Sequence, residues 1–226
     1  GTWSFGQVAT PGGTFLIACC SGNDRLMFDG TTWGTAPAIT GVAMNKLATI
    51  WPHASRQWFI EADSMNAWYL PPDAIGGAAT KFPLGGVFRH GGRLLAGASW
   101  TADANNSGLQ AMCVFITSEG EIAVYEGDDP ATNFSTKGVY RVGRTCGVNC
   151  VMKTGGDLVI MTEDGMLAMS QIVKLDASAL LNESVSKNIR SLWLDAVAYS
   201  DTSKWSIVRR DTEGYAVVVV DPTEGA

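Results

Sequence analysis

The stretch Val114-Phe115-Ile116-Thr117-Ser118-Glu119-Gly120-Glu121-Ile122-Ala123-Val124-Tyr125 decides the fold. Two apolar runs flank a Ser-Glu-Gly turn, which reads as a β-hairpin. The same pattern returns downstream as Leu158–Met161, a turn at Glu163–Gly165 and Met166–Met169. It returns again as Trp205–Val208, a turn at Asp211–Gly214 and Tyr215–Val220. Upstream lie Trp58–Ile60 with Trp68–Leu70 around Ala62–Ser64, and Phe15–Ala18 with Leu26–Phe28 around Ser21–Asp24. A lone hairpin cannot bury its own apolar face, so such units must pack on one another. Their spacing, on the order of 40–55 residues, is the size of a propeller blade. A β-sandwich, the competing fold, places its turns about 8–12 residues apart. The expected fold is therefore all-β: a β-propeller of about five blade-like hairpin repeats, closed or an arc of a larger ring. Further strands are expected within Val42–Trp51, Gly86–Ser99 and Val139–Val142.

One segment breaks the pattern. Leu181, Val185, Ile189, Leu192, Trp193 and Ala196 recur at helical spacing, predicting one inserted amphipathic helix near 181–197 whose stripe packs on the propeller flank. With no long linker or low-complexity tract, residues 1–226 read as one domain. The chain opens on Gly1-Thr2-Trp3 and stops just past a strong strand, so it is expected to be part of a longer protein.

Composition narrows the function. The 226 residues hold 16 Lys+Arg against 22 Asp+Glu, a net charge of −6, with 46% hydrophobic and 17% charged residues. That excludes a disordered chain and disfavours a protein that grips phosphate backbones. The 26 glycines and eight tryptophans suit tight turns and aromatic-lined sheets. Apolar runs such as Ala216–Val220 are too short to span a bilayer. Of the five cysteines, Cys19 and Cys20 would face opposite sides of a strand. Cys146 and Cys150 come nearest to metal-ligand spacing, but no second pair completes a site. All five read as buried thiols in a reducing compartment.

No nucleophile elbow or phosphate loop occurs, and His53 and His90 lack partners at a recognisable offset. The carboxylates available for glycosidase chemistry are Asp63, Glu119, Glu121, Glu126, Asp128, Asp129, Glu163 and Asp164, most of them at turn positions. Phe28-Asp29-Gly30-Thr31-Thr32-Trp33 superficially resembles a sialidase Asp box. With Asp29 and Gly30 adjacent, it reads instead as a type I′ turn. Trp68 and Trp205 are expected in the core. Arg141-Val142-Gly143-Arg144 and Arg209-Arg210 are basic spots, not a stripe for duplex binding. No catalytic, cofactor-binding or metal-binding residue is assigned.

Six stretches in order carry a resemblance: Arg56–Leu70, Ile75-Gly76-Gly77, Pro83–Trp100, Val114–Pro130, Gly138–Arg144 and Gly155–Gln171. Together the series resembles the tail hub (nozzle, or packaged-DNA stabilisation) proteins of short-tailed bacteriophages and prophages, over roughly Phe15 to Trp193. The resemblance implies a propeller-bearing structural protein of the virion tail, assembled in the bacterial host cytoplasm as a homo-oligomeric ring below the portal. Its implied partners are other tail and portal proteins, and DNA passes through the ring without sequence-specific binding. It implies no reaction, metal, cofactor or membrane span. An acidic balance suits such a conduit, because acidic and neutral walls would let the duplex slide. The competing reading is a carbohydrate-active propeller, a glycosidase or a lectin, which needs carboxylates converging in a central funnel with aromatic walls. A kelch-like interaction module, suggested by Gly12-Gly13, Gly91-Gly92 and Gly155-Gly156, ranks last.

Overall fold

The computed structural model describes residues 1–103, 109–210 and 215–219. Four antiparallel sheets form the four blades of a β-propeller. Blade one contains β1 (Ser4–Thr10), β2 (Gly13–Cys19), β3 (Leu26–Phe28) and β4 (Trp33–Thr35) in sheet order. A two-residue strand β5 (Ile39–Thr40) leads to blade two, where β6 (Leu47–His53), β7 (Arg56–Glu61) and β8 (Asn66–Tyr69) run side by side. β9 (Gly77–Ala78) pairs parallel with β5, and β10 (Thr80–Pro83) completes the second blade beside β8. Blade three is β11 (Leu94–Asp103), β12 (Leu109–Thr117), β13 (Glu121–Glu126) and β14 (Ser135–Arg141). Blade four is β15 (Val151–Thr154), β16 (Asp157–Thr162) and β17 (Gly165–Ala168).

The first four repeats of the sequence supply the second and third strands of these blades. The fifth pairs differently. β18 (Ser206–Arg210) and β19 (Tyr215–Val219) form a two-stranded sheet, and the turn at 211–214 falls outside the described residues. The expected strand within Val42–Trp51 begins only at Leu47, after a 3-10 turn at Met44–Lys46, and that within Gly86–Ser99 begins at Leu94. Val139–Val142 lies largely within β14.

The runs of consecutive apolar residues follow from double-sided burial. Along β12, Met112, Val114 and Ile116 join the core shared with blade four, while Cys113 and Phe115 join the core shared with blade two. Along β7, Trp58 and Ile60 face blade three and Phe59 faces blade one. Because side chains alternate across a strand, a blade packed on both faces needs apolar residues at every position. Rings of Trp51, Trp58, Phe82, Phe115, Tyr125 and Phe134 fill the seam between blades two and three, with most centroid separations near 5–6 Å. Trp68 and Trp205 are buried, as expected, although Trp205 sits just before β18.

One local expectation is corrected. The Asp29-Gly30 turn is not a two-residue type I′ turn, since Phe28 pairs with Trp33 across a four-residue loop. Asp29 Oδ1 accepts from the amides of Thr31 and Thr32, both at 2.8 Å, and this side-chain brace sets the loop. The two-residue left-handed turn occurs instead at Ala54 (φ 49°) and Ser55 (φ 58°), between β6 and β7. Cys19 and Cys20 are both buried, and of the two only Cys19 joins the core between blades one and two.

The helical insertion follows blade four. Short helices α1 (Met169–Ile172) and α2 (Ala177–Asn182) precede a 3-10 turn at Lys187–Ile189, which runs into α3 (Arg190–Ala198). Trp193 anchors α3: its indole N–H donates to the carbonyls of Thr162 and Glu163, and its ring meets Trp205 edge-on at 5.4 Å. The rest of the expected stripe is only partly covered: Ala196 packs against the core and Leu181 is half-buried. Val185, Ile189 and Leu192 are exposed, with Leu194 and Tyr199 beside them. The apolar face is wider than the blade surface beneath it.

Candidate functional site

The strands β1, β6, β11, β15 and β18 surround an axial cavity of about 460 Å³. Small residues on these strands make close approach possible. A Cβ at Gly97 would collide with the Trp51 ring, and one at Gly6 would press on Ile50 at 3.1 Å. Asn149 ties the ring together. Its side-chain amide donates to the Trp3 carbonyl at 3.0 Å, while its own carbonyl accepts from the Ile207 amide at 3.0 Å. Phe5, Ile50, Trp51, Pro52, Ile207 and Val208 give the cavity apolar walls. Gln7, Ser99, Asn149 and Ser206 add polar groups. Among the described residues, Lys153 is the one charged residue lining the cavity.

His53, unpartnered in the sequence reading, is buried beside this cavity. Its Nδ1 lies 3.0 Å from Ser99 Oγ, and its Nε2 lies 3.4 Å from the Gly127 carbonyl. A carbonyl only accepts, so Nε2 carries the proton and Ser99 donates to Nδ1. Burial holds the imidazole below its ordinary pKa, partly offset by the Gly127 carbonyl; Lys153 pushes the same way as burial and Asp128 opposes it. His90 is on the exposed surface beside Arg141.

A second, smaller cavity of about 210 Å³ lies at the turn end between blades three and four, lined by Arg93, Glu119, Arg144, Glu163, Thr202 and others. It gathers two of the candidate carboxylates. Arg144 grips Glu119 through Nε at 3.2 Å and Nη2 at 2.9 Å, and this hydrogen-bonded pair holds the carboxyl below the usual range. A glycosidase acid requires the opposite shift. Glu163 accepts from Thr202 at 3.2 Å.

Of the other carboxylates, Asp164 lies against Gly143, and the remaining five have structural partners apart from any shared site. Glu121 is buried and accepts from the Arg89 and His90 amides at 2.8–3.0 Å, fixing the approach to β11. Glu126 pairs with Lys137, Asp129 with Arg56, and Asp63 with Arg93, while Asp128 accepts from Asn133. Among the described residues, no carboxylate lines the axial cavity.

The cysteines are free and buried. Burial pushes the thiols of Cys19 and Cys150 up to about 12, and raises Cys113 and Cys146 as well. Protonated thiols in an apolar core are poor metal ligands. Among the described residues, no three His, Cys, Asp or Glu side chains gather to hold a metal, and no helix is long and apolar enough to cross a membrane.

The axial residues escaped the sequence reading because five separate strands contribute two to four positions each. The available signal was the run of small residues at Ala96-Gly97-Ala98-Ser99, which marks a strand crowded by its neighbours. No protein-family model and no curated protein matches this chain.

Proposed function

We propose that this protein is a non-enzymatic structural component of a bacteriophage tail. In this reading it forms part of the hub or nozzle ring below the portal and lets DNA pass without reading its sequence. The observation that carries the proposal is the uncovered apolar surface of the helical insertion. Val185 is 57% exposed, Leu192 68% and Tyr199 77%, within one short segment held rigidly to blade four by Trp193. Clustered exposed apolar side chains mark association surfaces, and a ring subunit needs such a surface. The ordered resemblance to tail hub proteins supports the same reading, as does a net charge of −6, which disfavours gripping of the duplex. The partners are other copies of the protein together with portal and tail proteins, and the location is the virion tail.

The carbohydrate-active alternative has one observation in its favour, the shared cavity of Glu119 and Glu163. Negative-stain imaging of the full-length protein separates the two. Closed rings that Leu192→Asp breaks into single subunits are expected. A lasting monomer that cleaves oligosaccharides would overturn the structural reading.

A further inference from the structure

We propose that the axial cavity binds a small amphipathic monocarboxylate, its acid group beside Lys153 and its apolar body against Phe5 and Val208. This goes beyond the assembly role and does not depend on it. The cavity, about 460 Å³, has the size of a ligand site, typically ~300–1,000 Å³, and the expected mixture of apolar wall and sparse polar groups. Phe5 and Val208 are more than half exposed yet line the same cavity, so apolar surface is available within it.

Charge selects the ligand class. In an acidic protein, the cavity lining contains one cation and no anion among the described residues. Lys153 is itself exposed and makes no ion pair among the described residues, and partial desolvation holds its ammonium below its ordinary pKa. One other basic group stands at this end: Arg209 donates to the Lys153 carbonyl at 3.1 Å, whereas His53, held neutral by burial, adds no charge. Among the described residues, the nearby acidic groups are Asp157 and Asp128. Asp157 is occupied by the Ser170 hydroxyl and the Leu158 amide, and Asp128 by Asn133. A concave, largely neutral wall focuses the field of the remaining ammonium. A single positive charge matches a single negative one. Ser99 and Gln7 add hydrogen-bonding groups to the same lining.

The test is calorimetric titration with 2-naphthoate and its neutral isostere 2-naphthamide. Naphthoate is expected to bind one per chain, with naphthamide markedly weaker. Lys153→Gln should weaken naphthoate by about tenfold or more and leave naphthamide unchanged. Lys153→Glu should reverse the preference, taking 2-naphthylmethylamine over naphthoate. Leu192→Lys, on the exposed helical surface, should leave naphthoate binding intact. The proposal fails if naphthoate does not saturate by about 5 mM, a limit already weaker than ordinary ligand sites. It also fails if naphthamide binds as tightly, if Lys153→Gln changes nothing, or if Leu192→Lys abolishes binding.

Discussion

His53 shows how one side chain joins the fold to the axial cavity. The imidazole is neutral in the folded protein because burial disfavours its charged form. Unfolding returns it to an ordinary pKa near ~6.5, so the unfolded chain binds more protons below that value. The stability it contributes is full above pH ~6.5 and declines as pH falls from there through the lowered folded value. Urea melts should therefore show a falling midpoint between about pH 7.5 and 5.5, and His53→Gln should flatten that fall. An equally steep fall in the variant would assign the effect to another group. The sequence could not supply this role, since Ser99 and Gly127 lie 46 and 74 residues away.

At the scale of elements, the hairpins were legible and their finer turn chemistry was not. Apolar runs around Gly120 and Gly165 specify β12–β13 and β16–β17 locally, and the structure forms both. Asp29-Gly30 carries the residue pair of a type I′ turn, but the Asp29 carboxylate brackets two amides and holds a longer loop. Ala54-Ser55 has no turn signature, yet register between β6 and β7 forces both residues into left-handed backbone. Each non-glycine residue there is strained by roughly 1–2 kcal/mol. Replacing the pair by Asn-Gly, which adopts this turn readily, should stabilise the protein by about 1 kcal/mol in chemical denaturation. The helix was likewise legible in its periodicity. Its docking was not, because only the blade surface decides how much of an apolar face is covered: Trp193 finds the blade-four carbonyls, and Leu192 remains outside.

At the scale of the whole molecule, the three apolar cores each straddle neighbouring blades, so no described blade owns its core. Loss of one seam should be felt across the fold. Phe115 is fully buried and meets the rings of Trp51, Trp58, Phe82 and Tyr125. Phe115→Ala is expected to cost about 3–5 kcal/mol, with tryptophan fluorescence and far-UV circular dichroism moving together along one transition. Separate transitions would show that the blades unfold independently.

The amino-acid sequence by itself determined the all-β class, the repeated hairpins, their blade-sized spacing and the helical stripe near 181–197. These follow from turn conformation and side-chain periodicity, which act over a few residues. Tertiary structure alone decided that β18 joins β1, β6, β11 and β15 around the axis, and that Lys153 is the single charged residue, among those described, in the cavity they line. It also decided that part of the helical stripe stays uncovered. The physical reason is packing between distant strands: the chance meeting of Gly97 with Trp51, or Asn149 with Trp3, depends on how blades stack and leaves no local pattern in the chain.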